Sequence, residues 1–69
     1  MYQDNGYIIE LPISYSEKYG AEIIQWCEEN IQRKWRFRNQ MSSRYQNWVP
    51  YEITIYEKSD AMHFKLVWL

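Results

Sequence analysis

The sequence predicts an α+β domain in which a single helix packs on one face of a small antiparallel sheet, in the order β-α-β-β-β. Three observations carry that class. Apolar residues recur at a 3.6-residue spacing between about residues 16 and 32, the period of an amphipathic helix. The segments Lys34–Arg38, Tyr51–Lys58 and His63–Leu69 alternate at period two, the signature of strands with one buried side. With 69 residues and one such helix, the chain can cover only one face of a sheet.

The elements follow in chain order. Residues 7–13 (Y-I-I-E-L-P-I) are rich in β-branched and aromatic side chains and follow the turn signal Asn5-Gly6, which predicts a first strand. Pro12 lacks an amide hydrogen and belongs at that strand's end or on an edge. Ser14 or Ser16 offers a helix N-cap, with Glu17 in the first turn, and a helix over 16–32 is expected. Gly20, Ile24, Cys27 and Ile31 fall on its buried arc with Ile23 beside them, while Glu22, Gln25 and Glu29 point away. Gly20 inside a helix costs about 1 kcal/mol relative to Ala, which a close approach of helix to sheet would offset.

Residues 33–39 are assigned to a second strand, with Trp35 and Phe37 on one face and Lys34, Arg36 and Arg38 on the other. The competing reading, β-α-β-β, carries the helix on to about residue 37, because Trp35 also lies near the helical arc. Residues 40–50 show no period and are polar, so they read as a long loop bearing Tyr45 and Trp48. Strands over 51–58 and 62–69, joined at Ser59-Asp60, complete the expected sheet, with Ile53, Ile55, Phe64, Leu66 and Trp68 meeting the helix residues Ile24, Cys27 and Ile31.

All of 1–69 is read as one domain, marginal in size, whose core depends on four Trp, seven Tyr and two Phe. Net charge is only −1, yet the charges are segregated: residues 1–29 hold six acids against Lys18, whereas 33–44 hold five cations and no acid. Any attraction to an anionic partner therefore resides in the local basic segment. The lone Cys27 cannot form an internal disulfide, and a free thiol fits a reducing, cytoplasmic setting. No apolar run is long enough to span a membrane, and no signal peptide is expected.

Catalysis has only two candidates, Cys27 and His63. The helical pattern buries Cys27, and while His63 with Glu10 or Glu52 on the same face has the groups to cut a phosphodiester, a lone His on a sheet is far more often a surface residue. Gly-rich phosphate loops, H-E-x-x-H and G-x-S-x-G are all missing from the sequence. A non-enzymatic chain without cofactor or metal is expected. Two binding surfaces remain. Tyr19, Trp26 and Arg33, spaced by seven residues on the helix flank, together with Tyr45 and Trp48 of the loop, are the residue types that dominate protein interfaces. The competing reading has Trp26 folding over the sheet edge or under the loop bearing Trp48. Alternatively, Lys34, Arg36, Arg38, Arg44 and Lys65 would engage phosphates of RNA or single-stranded DNA, with Tyr56 or Trp48 stacking on a base. Cations that solvate the open face of a sheet are the plainer account of that pattern. Homodimerisation through the uncovered face or an edge strand is a third option.

W-C-E-E-N at Trp26–Asn30, K-W-R-F at Lys34–Phe37 and D-A-M-H-F-K-L-V-W at Asp60–Trp68 cover about a quarter of the chain. In these blocks the sequence resembles small uncharacterised proteins of tailed bacteriophages that infect marine cyanobacteria. The resemblance implies a phage-encoded accessory protein in the host cytoplasm, with a host or phage protein as partner, and it transfers no activity to individual residues.

Overall fold

A computed structural model describes residues 6–69, arranged as β1 (Tyr7–Glu10), α1 (Ile13–Asn30), β2 (Trp35–Ser42), β3 (Asn47–Ile55) and α2 (Lys58–Trp68). The protein is α+β, with a three-stranded antiparallel sheet in the order β1-β3-β2. Asn5 of the expected Asn5-Gly6 turn lies outside the described residues.

β3 is the central strand, and its apolar positions explain why. Ile53 lies opposite Ile9 of β1 and Phe37 of β2, and Ile55 lies opposite Tyr7 and Trp35. Ile9, Ile53 and Ile55 are buried in one cluster with Leu11, Ile23, Cys27, Ile31, Ala61 and Phe64, and Trp35 packs against it. The alternation read from K-W-R-F-R is thus realised: aromatics face the helix side and Lys34, Arg36 and Arg38 face away from it. The helix does not continue to residue 37.

α1 starts earlier than its serines suggested. Pro12 occupies the N-cap with ψ 145° and no side-chain cap, and the Ser16 amide makes the first helical bond, to the Pro12 carbonyl at 2.9 Å. Ser16 is not a cap; it is buried, and its hydroxyl donates to the Pro50 carbonyl of β3. The buried line runs Ser16, Gly20, Ile23, Cys27 and on to Ile31, so that Ile23 rather than Ile24 faces the core. A Cβ on Gly20 would stand 2.8 Å from Pro50 Cδ, which gives the glycine the close-approach role its position implied.

Residues 40–50 form the arms of a hairpin and not a loop. The tight turn spans 43–46, the Gln46 amide bonds the Ser42 carbonyl at 2.7 Å, and Gln46 takes the left-handed conformation at φ 54°. Pairing shifts between Arg38 and Asn39: Arg38 faces Glu52 while Asn39 faces Pro50, leaving Tyr51 as an extra residue on β3. Pro50 sits beside this bulge and beyond the last β1–β3 pair, Glu10–Glu52, where β3 is flanked by β2 alone and its missing amide hydrogen is more easily tolerated.

The C-terminal segment is helix α2, not the fourth strand expected over 62–69. Ala61 and Phe64 are buried and Trp68 half-buried, the i, i+3, i+7 stripe of a helix, whereas Leu66, which the strand pattern would bury, is 84% exposed. Asp60 in the first turn and Lys65 in the last complement the helix dipole. α2 joins α1 on the same side of the sheet, through Trp26 edge-on to Phe64 (5.8 Å) and Tyr19 against Trp68 (6.4 Å).

Candidate functional site

The helix-flank residues are largely used by the fold. Trp26 is half-buried between the helices, edge-on to the rings of His63 (5.0 Å) and Phe64. Tyr19 stacks at a tilt on Tyr15 (5.0 Å), whose hydroxyl donates to the Trp68 carbonyl. These contacts are the packing that a chain short of core residues requires. Arg33 remains exposed beside Glu57 at 3.7 Å, a surface pair of little energetic weight.

The hairpin behaves differently. Residues 43–48 are exposed in an unbroken run. Trp48 is 63% exposed, and its cross-strand neighbour Met41 is 51% exposed, so the two present one apolar pair to solvent. Trp26, Trp35 and Trp68 are by contrast half-buried. Tyr45 at the tip is exposed, with the Arg44 guanidinium 5.9 Å from its ring centre. The hairpin base is fixed to α1: buried Ser42 donates its hydroxyl to the Glu17 carboxylate at 2.6 Å and accepts from the Tyr45 amide at 3.2 Å. A groove of about 420 Å³ runs between α1 and the hairpin, with Ile24, Phe37, Trp48, Val49 and Pro50 among its walls. Phe37 stacks on Trp35 (5.7 Å, 23°) and keeps its outer side exposed. An exposed indole held on an anchored hairpin above an apolar groove is an arrangement suited to receiving another polypeptide.

The opposite face of the sheet carries the expected cations but not all of them. Lys34, Arg36 and Arg38 share it, and Lys34 Nζ sits 4.9 Å from the Tyr56 ring centre. A shallow cavity of about 190 Å³ lies there, lined by Gly6, Ile8, Arg36, Arg38, Glu52 and Thr54. Arg44 stands instead at the hairpin tip and Lys65 on α2, so neither joins this group. Glu10 and Glu52 lie opposite each other in the same row, and Glu52 approaches Arg38 at 3.9 Å. The acids lie beside the cations at the Arg38 end of the face and reduce its net charge there.

Cys27 is fully buried, and burial, aided by the neighbouring Glu28 charge, pushes its thiol up to about 12 from an ordinary value near 9. A thiol so held is overwhelmingly protonated at neutral pH and is a poor nucleophile. His63 is exposed on α2 with its ring edge-on to Trp26, and among the described residues no three His, Cys, Asp or Glu side chains gather as metal ligands. Among the same residues no helix is long and apolar enough to cross a membrane.

Sequence reasoning missed Met41 as a surface residue and the groove behind it. The signal was present in M-S-S-R-Y-Q-N-W, a hairpin with apolar residues at mirrored positions, but the lack of strict alternation hid it. No protein-family model matches this chain, and neither a curated protein nor a solved structure matches it.

Proposed function

We propose that the protein is a non-enzymatic interaction module, a phage-type accessory protein of the host cytoplasm, that binds a host or phage protein through the β2–β3 hairpin. The observation that carries this reading is the exposed Met41–Trp48 pair, beside the groove that Phe37 lines. A chain this short of buried surface gains from burying every large ring, and Trp48 is the tryptophan it leaves in water. Covering Trp48 with a partner would remove roughly 150 Å² of apolar surface, a gross gain of about 4 kcal/mol before ordering costs. The phage assignment rests on the resemblance in the Trp26–Asn30, Lys34–Phe37 and Asp60–Trp68 blocks.

Capture of partners from host extract on immobilised protein tests this. Trp48→Ala and Met41→Ala should abolish recovery of a specific protein at unchanged fold stability. Equal recovery by wild type and both variants would overturn the assignment of the hairpin.

A second reading is supported by one observation: three cations lie on the uncovered face, one of them above the Tyr56 ring. RNA or single-stranded DNA would run across that face, and its affinity would fall steeply with salt as counterions are released. Glu10 and Glu52 in that face weaken this reading relative to the first. A labelled oligouridylate that fails to bind at low salt, or binds equally to Arg36→Ala/Arg38→Ala, eliminates it.

A further inference from the structure

β2 is an edge strand of eight residues, and among the described residues no strand pairs with its outer side. Such an edge is a template for another chain. Ahead of the bulge its side chains are sorted by chemistry: Trp35 and Phe37 face the helix side, while Lys34, Arg36 and Arg38 face the uncovered side. The strand already bonded to β2 shows what sequence this sorting accepts. On β3, Glu52 stands opposite Arg38 and Ile53 opposite Phe37, placing acid beside cation on one face and aliphatic beside aromatic on the other.

We propose that the free edge of β2 receives an extended segment of a partner protein in which acids alternate with large apolar residues. The acids meet Arg36 and Arg38, and the apolar residues extend the Trp35–Phe37 stack toward the groove. Backbone hydrogen bonds supply the adhesion and the alternation supplies the choice of partner. The inference rests on the protein-binding reading and specifies its recognition chemistry. Charge argues against a second copy as the occupant. Residues 33–44 hold five cations and no acid, so β2 laid against its own copy would oppose like charges, a recognised defence of edge strands.

The test titrates isotopically labelled protein with a synthetic peptide of alternating Glu and Val, eight residues long. A peptide of the same composition in block order and an oligouridylate serve as comparisons. The alternating peptide should shift the amides of residues 35–42 and slow their hydrogen exchange, and bind about tenfold tighter than the block peptide. Arg36→Glu combined with Arg38→Glu should lower its affinity about tenfold, and a Lys–Val alternating peptide should then bind that variant. Four results would overturn the proposal: equal binding of the block peptide, shifts that spare β2, failure of the Lys–Val peptide on the reversed variant, or β2 protection by oligouridylate or by self-association. If the alternating peptide leaves β2 untouched while Trp48→Ala still abolishes partner capture, strand addition is wrong and the protein-binding reading stands. If both fail, both are wrong.

Discussion

Replacing Gly20 with Ala should destabilise the protein, against the rule for helix interiors. Intrinsic propensity favours Ala over Gly by about 1 kcal/mol, so at an open helical site the substitution would raise stability. Here the added methyl would lie 2.8 Å from Pro50 Cδ, 3.3 Å from Pro50 Cγ and 3.3 Å from Ser16 Oγ. Carbon atoms in comfortable contact stand about 3.5–4.0 Å apart, and a pyrrolidine ring cannot swing aside as a flexible side chain can. Backbone retreat is also resisted, because Ser16 of the same helix bonds the Pro50 carbonyl. Overpacking of this kind costs about 1–3 kcal/mol, which outweighs the propensity gain and leaves a net loss of about 1 kcal/mol. With a urea slope of about 1 kcal/mol/M for so small a domain, the unfolding midpoint should fall by about 1 M. In a Pro50→Ala background the obstruction is gone and Gly20→Ala should become stabilising, a coupling of about 1–2 kcal/mol. A Gly20→Ala midpoint that rises by about 1 M in the wild-type background would refute the packing of α1 on β3.

Three further outcomes follow from burial and charge. Phe64→Ala removes the largest fully buried side chain and should cost about 3–5 kcal/mol, comparable to the whole stability of such a domain, so circular dichroism should show it largely unfolded. Leu66→Lys should shift the urea midpoint by less than the equivalent of about 0.5 kcal/mol, because Leu66 projects from α2 into solvent; unfolding by this change would indicate a strand. For Cys27 the folded thiol keeps its proton up to about 12, whereas the unfolded thiol loses it near 9. The folded state therefore binds more protons between those values, and stability that is intact below pH 9 is lost as pH rises toward 12. The difference between wild type and Cys27→Ala in alkaline urea titrations isolates this contribution, and parallel curves would contradict it.

Where the sequence carried a single period, it was readable. K-W-R-F-R alternates strictly, and although Trp35 also lies near the helical arc, the structure places its aromatics and cations on opposite faces of a strand. The Ser16–Ile31 segment has one apolar arc, in which the pattern makes Ile24 central and Ile23 flanking; the two lie about 100° apart on opposite sides of Gly20, and it is Ile23 that is buried. The C-terminal segment was ambiguous because Phe64 and Trp68 satisfy both periods. Ala61 decides for the helix, and a small residue is easily overlooked as a core position. Residues 40–50 lost their strand signature for a physical reason. The bulge at Tyr51 breaks the alternation, Pro50 argues against a central strand, and the arms bury only Ser42, Val49 and Pro50 near their base, leaving 43–48 exposed with no demand for apolar residues at every second position. The same exposure that concealed the hairpin makes it the candidate interface. Of the residues singled out beforehand, Tyr45 and Trp48 remained available to a partner, while Tyr19 and Trp26 were drawn into the contact with α2, an element whose helical form the alternation had disguised.

Site-specific photocrosslinking in host extract addresses the interface most directly. A benzophenone side chain is placed in turn at the positions of Tyr45 on the hairpin, Ile8 on the cationic face and Leu66 on α2, all exposed, so that Met41 and Trp48 stay in place. Binding through the hairpin predicts one discrete protein adduct from position 45 and none from positions 8 and 66. Adducts from position 8 with nucleic acid, or no adduct from position 45, would contradict it.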